Sequence, residues 1–319
     1  MTHGSPGGPS GFLVLDKPAG WSSHRVVSRV RKWLSTRKVG HAGTLDPMAT
    51  GVLVVGVGPA TRLLTFAVGE TKTYTATVRL GASTPTDDAD SAPDRFAAPG
   101  ALAQIAEDSL ERALEPLRGD ISQIPSAVSA IKVDGRRAYA RVRAGEEVEL
   151  RPRPVTVSRF ETTSPLRPAE AGDAAGGRHP VLDVDVVVDC SSGTYIRALA
   201  RDLGSALGVG GHLTALRRTR VGSFSLAEAQ EVPDFPDPDA EVPPAEPAAA
   251  LLDPASAAAR LLPVLSVTPE DAARLRQGKF LEAAPAGAGG LLAAVSGGSL
   301  VAVLEPRGEA LKPRLVFPA

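Results

Sequence analysis

Seven consecutive residues without a polar side chain, Gly51-Val52-Leu53-Val54-Val55-Gly56-Val57, constrain this chain more than any other stretch. A short unbroken run rich in β-branched residues is the pattern of a strand buried on both faces. Such a strand needs a sizeable core, and 319 residues suffice for one large domain plus a small one. Directly ahead of the run lies KVGHAGTLDPMAT, residues 38–50, a loop of small residues and turn formers that holds one carboxylate, Asp46.

Periodicity supplies further elements. FLVLDKPAG reads as a strand ending in a Pro-Gly turn. Ser22 or Ser23 is placed to cap a helix through residue 34, with Val26, Val27, Val30, Trp33 and Leu34 on its apolar face and Arg25, Arg29, Arg31 and Lys32 mostly elsewhere. TKTYTATVRL alternates, with Tyr74, Ala76, Val78 and Leu80 on one face, and VLDVDVVVD alternates likewise. In SSGTYIRALARDLGSALG, Thr194 is a candidate helix cap before a stripe of Ile196, Leu199, Ala200, Leu203 and Leu207, which leaves Arg197 and Arg201 off it. Residues 163–180 read as a surface loop, and the basic, Pro-punctuated stretch at about 120–155 as a protruding insertion. Residues 231–256, with seven prolines and no basic residue, have the composition of a semi-rigid acidic linker. The first ten residues read as a disordered tail, 11–230 as the main domain, and 257–319 as a small β-rich domain.

The net charge of −1 hides an asymmetry: residues 1–227 carry 28 Lys+Arg against 23 Asp+Glu, and residues 228–319 carry 7 against 13. A polyanion can dock on a basic N-terminal portion through phosphate contacts, although solvated helix faces have the same composition. The single cysteine, Cys190, excludes an intrachain disulfide framework, and five scattered histidines have no metal-ligand spacing, so no metal is expected. GVGPAT matches a dinucleotide fingerprint at two glycines only, its sixth position being Thr61, which makes a nicotinamide enzyme the weakest reading. With no membrane-length apolar run and no signal-peptide pattern, a cytoplasmic location is expected.

Asp46 therefore carries the chemical interest. Asp-Pro is a common turn starter, so a turn residue is the plain alternative. Three features favour a functional acid. Pro47 biases Asp46 toward an extended backbone and so directs its carboxylate. Gly40, Gly43 and Gly51 allow close approach of another molecule. The loop opens onto a buried strand, a rigid platform.

At these residues the chain resembles the TruB family of tRNA pseudouridine synthases, which isomerise uridine 55 in the T loop of transfer RNA. The resemblance runs in order through LDKPAGWSSHRVVSRVR, KVGHAGTLDPMATGVLVVGVGPATRLL, KTYTATVRLGASTPTDDAD, IPSAVSAIKVDGRRAY, GTYIRALARDLG and HLTALRR, most of residues 11–220. It implies a mixed α/β pseudouridine synthase fold: a central, largely antiparallel sheet flanked by helices, an RNA-gripping insertion at about 120–155, and a small C-terminal RNA-binding domain of PUA type. It makes Asp46 the catalytic aspartate, Arg197 the cation that keeps it ionised, and Tyr74 the active-site aromatic; a strand aromatic in the core is the alternative for Tyr74. His41 matches the residue that fills the space of the flipped base. Lys17, Tyr195 and Leu216 match pocket-lining positions, though a surface lysine, a helix-start aromatic and a core leucine remain open for them. Asp88 matches an acid near the RNA, or else a solvated acidic turn. Lys132, with Arg136, Arg137, Arg141 and Arg143, belongs to the insertion and is expected to reach phosphates. The isomerisation gains and loses no atoms, so no cofactor is expected. The expected partner is the T arm of tRNA, with no membrane, no obligatory protein partner and a monomeric chain. A guide-RNA-dependent relative of the H/ACA type and an RNA-folding protein with secondary catalysis are the alternatives.

Overall fold

In the computed structural model, which describes residues 8–126, 132–133, 136–137, 151–233, 251–282 and 290–318, the apolar run becomes a strand with two dry faces. The elements around it are β1 (Gly11–Lys17), α1 (Ser23–Trp33), β2 (Val39–His41) and β3 (Thr50–Val57). β1 pairs antiparallel with β3 from Gly11↔Val57 to Lys17↔Gly51, and β2 pairs antiparallel with β3 from Val39↔Val57 to His41↔Val55. Because side chains alternate across a strand, β3 feeds two cores. Val52 and Val54 join Phe12 and Val14 on one side; Leu53, Val55 and Val57 join Leu13, Leu15 and the α1 residues Val26, Val27 and Val30 on the other. The reading of a doubly buried strand is borne out, and Ser22 caps α1, its Oγ accepting from Arg25 N–H at 3.1 Å.

The chain divides into two compact units: Met1–Pro47, Gly51–Gly69 and Val221–Ala319 form one, and Met48–Thr50 and Glu70–Arg220 form the other. In the first unit a second sheet follows. Val264–Ser266 lies parallel to Leu292–Ser296, which pairs antiparallel with Ser299–Arg307, which in turn pairs with Ala310–Val316. One face of this sheet packs on Ala272 and Leu275 of the helix Pro269–Arg276. On the other, Ala293, Leu300 and Val303 join the core of Phe12, Val14, Val52 and Val54, together with Ala255, Ala257 and Ala258 of the helix Pro254–Ala259.

The expected linker 231–256 is ordered at both of its ends. Gln230–Glu231 pairs parallel with β1, and Leu252 exchanges two 2.8 Å backbone bonds with Phe12. Asp253 then caps the helix that starts at Pro254, its Oδ1 accepting from Ala255 and Ser256 N–H. Proline-rich composition concealed this, since proline at a first helical position and aspartate before it are also a helix start. Residues 234–250 lie outside the described residues, as do residues 1–7 of the expected tail.

In the second unit β4 (Lys72–Leu80) pairs antiparallel with the long strand Arg178–Cys190, from Leu182↔Leu80 to Cys190↔Lys72. Arg153–Thr162 and then Gly119–Gln123 extend the sheet on that side, both antiparallel, and Gly211–Val221 neighbours β4 on the other. The fold is thus mixed α/β with a largely antiparallel sheet, as expected. Residues 163–180 are not the surface loop that their composition suggests. Arg167–Gly172 pairs with Arg178–Asp183 as a β-hairpin. Its ladder is polar: Arg79 bonds Asp183, Arg167 bonds Asp185, and His179 bonds Asp173 while stacking 3.8 Å from the Phe96 ring. Charges in place of alternating apolar residues hid the strands. Of the insertion, Lys132–Val133 pairs with Arg136–Arg137; residues 127–131, 134–135 and 138–150, with Arg141 and Arg143, are outside the described residues.

Thr194 does not cap the next helix. Its Oγ1 donates to Ser191 O at 3.0 Å, and the helix runs Ile196–Ala206 from Tyr195. That helix meets the following strand backbone to backbone. Gly204 O accepts from Val209 and Gly210 N–H at 3.0 Å each, and a Cβ on Gly204 would lie 2.2 Å from Gly210 C and Gly211 N. Gly204→Ala is expected to lower unfolding free energy by about 2 kcal/mol despite alanine's better helix propensity, because backbone has to move; urea unfolding measures it, and an unchanged midpoint would contradict the contact.

Lys72 and Cys190 face each other across the central strand pair. Burial, with the nearby Arg218 guanidinium, lowers the Lys72 ammonium to about 8, and burial raises the Cys190 thiol to about 11. From about pH 8 to 10.5 the unfolded chain holds a Lys72 proton that the folded chain has released, so stability rises with pH. From about pH 9 to 11 the unfolded chain has lost the Cys190 proton that the folded chain keeps, so stability falls. The net rise is concentrated between about pH 8 and 9. Lys72→Met is expected to remove that rise in urea-unfolding free energies taken across the window.

Candidate active site

Asp46 sits in a loop whose backbone is held on both sides. Before it, the buried Ser23 side chain bonds Leu45 in both directions: Ser23 Oγ donates to Leu45 O at 3.1 Å and accepts from Leu45 N–H at 2.9 Å. After it, Pro47 O accepts from Gly20 N–H at 2.8 Å and from Lys17 Nζ at 3.3 Å. Lys17, at the end of β1, is 0 % exposed, and its ammonium also donates to Pro18 O at 2.8 Å and Trp21 O at 2.7 Å. This is not the surface lysine that remained open from sequence. It is a buried cation that donates to three carbonyls and so ties the turn after β1 to the loop after β2. Asp46 itself is half-buried. His41, also half-buried, ends β2, with its ring edge-on to His24 at 6.1 Å between centroids. Lys17, His41 and Asp46 therefore belong to one rigid piece of the first unit.

The second unit assembles Asp88, Arg197, Tyr195 and Leu216. Arg197 lies off the apolar stripe of its helix, as its spacing requires, yet it is 5 % exposed and not solvated. Within its unit its guanidinium donates to Thr86 O at 2.8 Å and pairs with Asp88 at 3.2 Å. Asp88, 2 % exposed, is not a solvated acidic turn: Oδ1 accepts from Thr86 Oγ1 at 2.5 Å and from Asp90 N–H at 3.0 Å. The neighbouring Asp87 adopts φ +58 and pairs with Arg201 at 3.3 Å, and burial raises its carboxyl above the usual range. Asp88 also bridges Leu213, three residues before the buried Leu216. Tyr195 is half-buried, and its backbone is clamped in both directions by the buried Gln123 side chain, at 2.8 and 3.0 Å. Tyr74, 8 % exposed, faces the same side of β4 as Ala76, Val78 and Leu80.

Ser23 and Gln123 are positioning residues that sequence reading missed. Ser23 registered only as an alternative helix cap, and nothing local marks Gln123. No cluster of three metal-ligating side chains occurs among the described residues. Lys132 is described only as a strand residue paired with Arg137.

The first unit supplies a carboxylate on an immobilised backbone, and the second a guanidinium held by two acceptors, Thr86 O and Asp88. Neutralising Asp88 removes a buried charged partner of the Arg197 guanidinium. Asp88→Asn is expected to destabilise the protein by about 3 kcal/mol in denaturant unfolding, far beyond the effect of losing an exposed pair.

Three family models match successive parts of the chain: the TruB family pseudouridylate synthase N-terminal domain at residues 31–196, the tRNA pseudouridylate synthase B C-terminal domain at 197–254, and the tRNA pseudouridine synthase II C-terminal model at 262–318. A tRNA pseudouridine synthase B of Arthrobacter sp. (strain FB24) is 51 % identical over 317 residues, covering 97 % of this chain and 96 % of that protein. One from Corynebacterium aurimucosum is 53 % identical over 305 residues, covering 95 % and 94 %. Among solved structures, a Cbf5-Nop10-Gar1 complex contains a chain 26 % identical with a TM-score of 0.67, over 97 % of this chain and 85 % of that one. An H/ACA RNP bound to a substrate RNA containing 2'-deoxyuridine matches at 25 % and 0.66, with the same coverage. With a pinned aspartate before a doubly buried strand, a mixed α/β fold, and family models and relatives that span nearly its whole length, the chain belongs to the TruB family of pseudouridine synthases.

Proposed function

We propose that this chain is a tRNA pseudouridine synthase that isomerises uridine 55 of the T loop, with Asp46 as its catalytic carboxylate. The observation that carries the reading is the loop around Asp46, tethered at Leu45 by Ser23 and at Pro47 by Lys17 and Gly20. A carboxylate that attacks or deprotonates a single position gains from such pre-organisation. The target base lies within a folded T loop and has to be everted first, at a cost of a few kcal/mol; His41 is assigned to the vacated space. Arg197 is assigned as the cation that partners the Asp46 carboxylate. Tyr74 is assigned to stack on the uracil, Tyr195 and Leu216 to line its pocket, Lys17 to buttress the Asp46 loop, Asp88 to hold Arg197, and Lys132 to reach RNA phosphates.

The reaction breaks the bond between sugar and base nitrogen and rejoins the sugar to carbon 5, so the residues supply positioning, charge and proton transfer and need no cofactor. Guide-free action is the favoured form, since relatives above 50 % identity are named tRNA pseudouridine synthase B, while the H/ACA structures stand at 25–26 %. No helix of the described residues is long and apolar enough to cross a membrane; a cytoplasmic location is the one that a tRNA-modifying role fits.

Asp46→Asn is expected to abolish tritium release from a T-arm hairpin labelled at uridine carbon 5, a fall on the order of 10³-fold or more, with tRNA affinity retained. Turnover that survives the substitution would remove Asp46 from the chemistry.

A further inference from the structure

From Lys17 to Leu45 the chain runs 29 residues with seven Lys or Arg and no acid. Three of these cations, Arg25, Arg29 and Lys32, stand at i, i+4 and i+7 on α1, on the side opposite the buried Ser23, Val26, Val27 and Val30. Trp21 precedes them and meets the first two: the Arg25 guanidinium carbon lies 4.0 Å from its ring centroid and that of Arg29 5.6 Å. Arg25 is exposed, and the other three are half-buried.

Within the helix itself this row is unfavourable. Like charges four residues apart oppose a helix by about 0.2–0.5 kcal/mol per pair, and α1 carries no acid to offset them. Arg25 also puts a cation in the first turn, where the helix dipole favours anions. Contact with Trp21 returns part of that cost and holds the guanidinium in place. An aromatic ring with aligned, partly desolvated cations suits a polyanion with flat bases, a nucleic-acid strand, better than an acidic protein surface.

The row is also fixed relative to the loop of Asp46. Trp21 O and Pro47 O accept from the same Lys17 ammonium, and Ser23 in the first turn of α1 bonds Leu45 in both directions. From that junction Arg25 to Lys32 spans about 10 Å at the helical rise. We propose that Trp21, Arg25, Arg29 and Lys32 form an additional RNA-binding stripe that grips the phosphate backbone outside the nucleotide presented to Asp46. The proposal rests on the reading of the chain as a tRNA enzyme and extends it to a second contact. Arg25 and Arg29 neutralise phosphates, and Trp21 is a positioning residue that aims them.

The test compares the full-length wild-type protein with Arg25→Gln/Arg29→Gln, Arg25→Lys/Arg29→Lys, Trp21→Ala and Trp21→Phe, using full-length tRNA at several salt concentrations. Loss of two phosphate contacts is expected to weaken binding about tenfold at low salt and to reduce the slope of log affinity against log salt by about 1.5–2. The Lys pair is expected to keep the slope, and Trp21→Phe to bind more tightly than Trp21→Ala. The single-turnover rate at saturating tRNA is expected to match wild type in all four. If the Gln pair binds with unaltered affinity and slope, the stripe is overturned while the enzyme assignment stands. If the Gln pair lowers the saturating rate, the residues act on the Asp46 loop and the backbone grip is overturned. If wild type binds no tRNA, both the stripe and the proposed function fail. Matching thermal midpoints for wild type and the Gln pair establish that a loss of binding is not a loss of fold.

Discussion

One buried ammonium organises the backbone around Asp46. Taking the Lys17 charge out of water costs several kcal/mol unless donors and acceptors are matched. The chain meets that condition with three backbone carbonyls drawn from two loops, those of Pro18, Trp21 and Pro47. Carbonyls fixed in this way cannot drift without leaving a buried cation short of partners. The turn after β1, the start of α1 and the backbone beside Asp46 are consequently held as one object, and an acid on a glycine-containing loop acquires the rigidity of a strand.

The second unit reaches the same end by different chemistry. There a buried ion pair, Arg197 with Asp88, is completed by the Thr86 hydroxyl and backbone N–H and C=O groups. Ser23 on Leu45 and Gln123 on Tyr195 repeat one device: a buried polar side chain that both donates to and accepts from a single backbone unit. Such pairs close all local hydrogen-bonding demand at once, so they fix a loop without needing an apolar patch. Reactive side chains can then stand on irregular backbone.

Much of the fold was legible. The unbroken run of β3, the alternation of β4 and the capped α1 each obeyed a single local rule, because burial on one or two faces writes a period into sequence. Elements held by polar contacts were less visible. The hairpin at 167–183 opens with Arg167–Gly172, which lacks the apolar alternation that marked residues 181–189, and the ends of the supposed linker at 230–231 and 251–256 are anchored by strand pairing and an aspartate cap within a proline-rich stretch. The site divided along the same line. Asp46, Tyr74 and Arg197 were named from the motif blocks, but periodicity only left Arg197 off the apolar stripe, and a solvated turn stayed open for Asp88, since apolar faces are silent on a buried ion pair. Lys17 was a plausible buttress; its burial depended on carbonyls 30 residues away, which no local pattern encodes.

The unit that carries Asp46 is discontinuous. Its first 47 residues share a core with residues 221–319, through Phe12 and Val14 against Val221, Phe224, Ala257, Val303 and Phe317. During translation the segment 70–220 is complete while β1 still lacks those partners. Ribosomes add on the order of 5–20 residues per second, so one face of β1 waits several seconds for residues 221–319. The tethers of the acid at Lys17, Gly20 and Ser23 are made within the first 47 residues, while the other face of β1 closes only when residues 221–319 arrive.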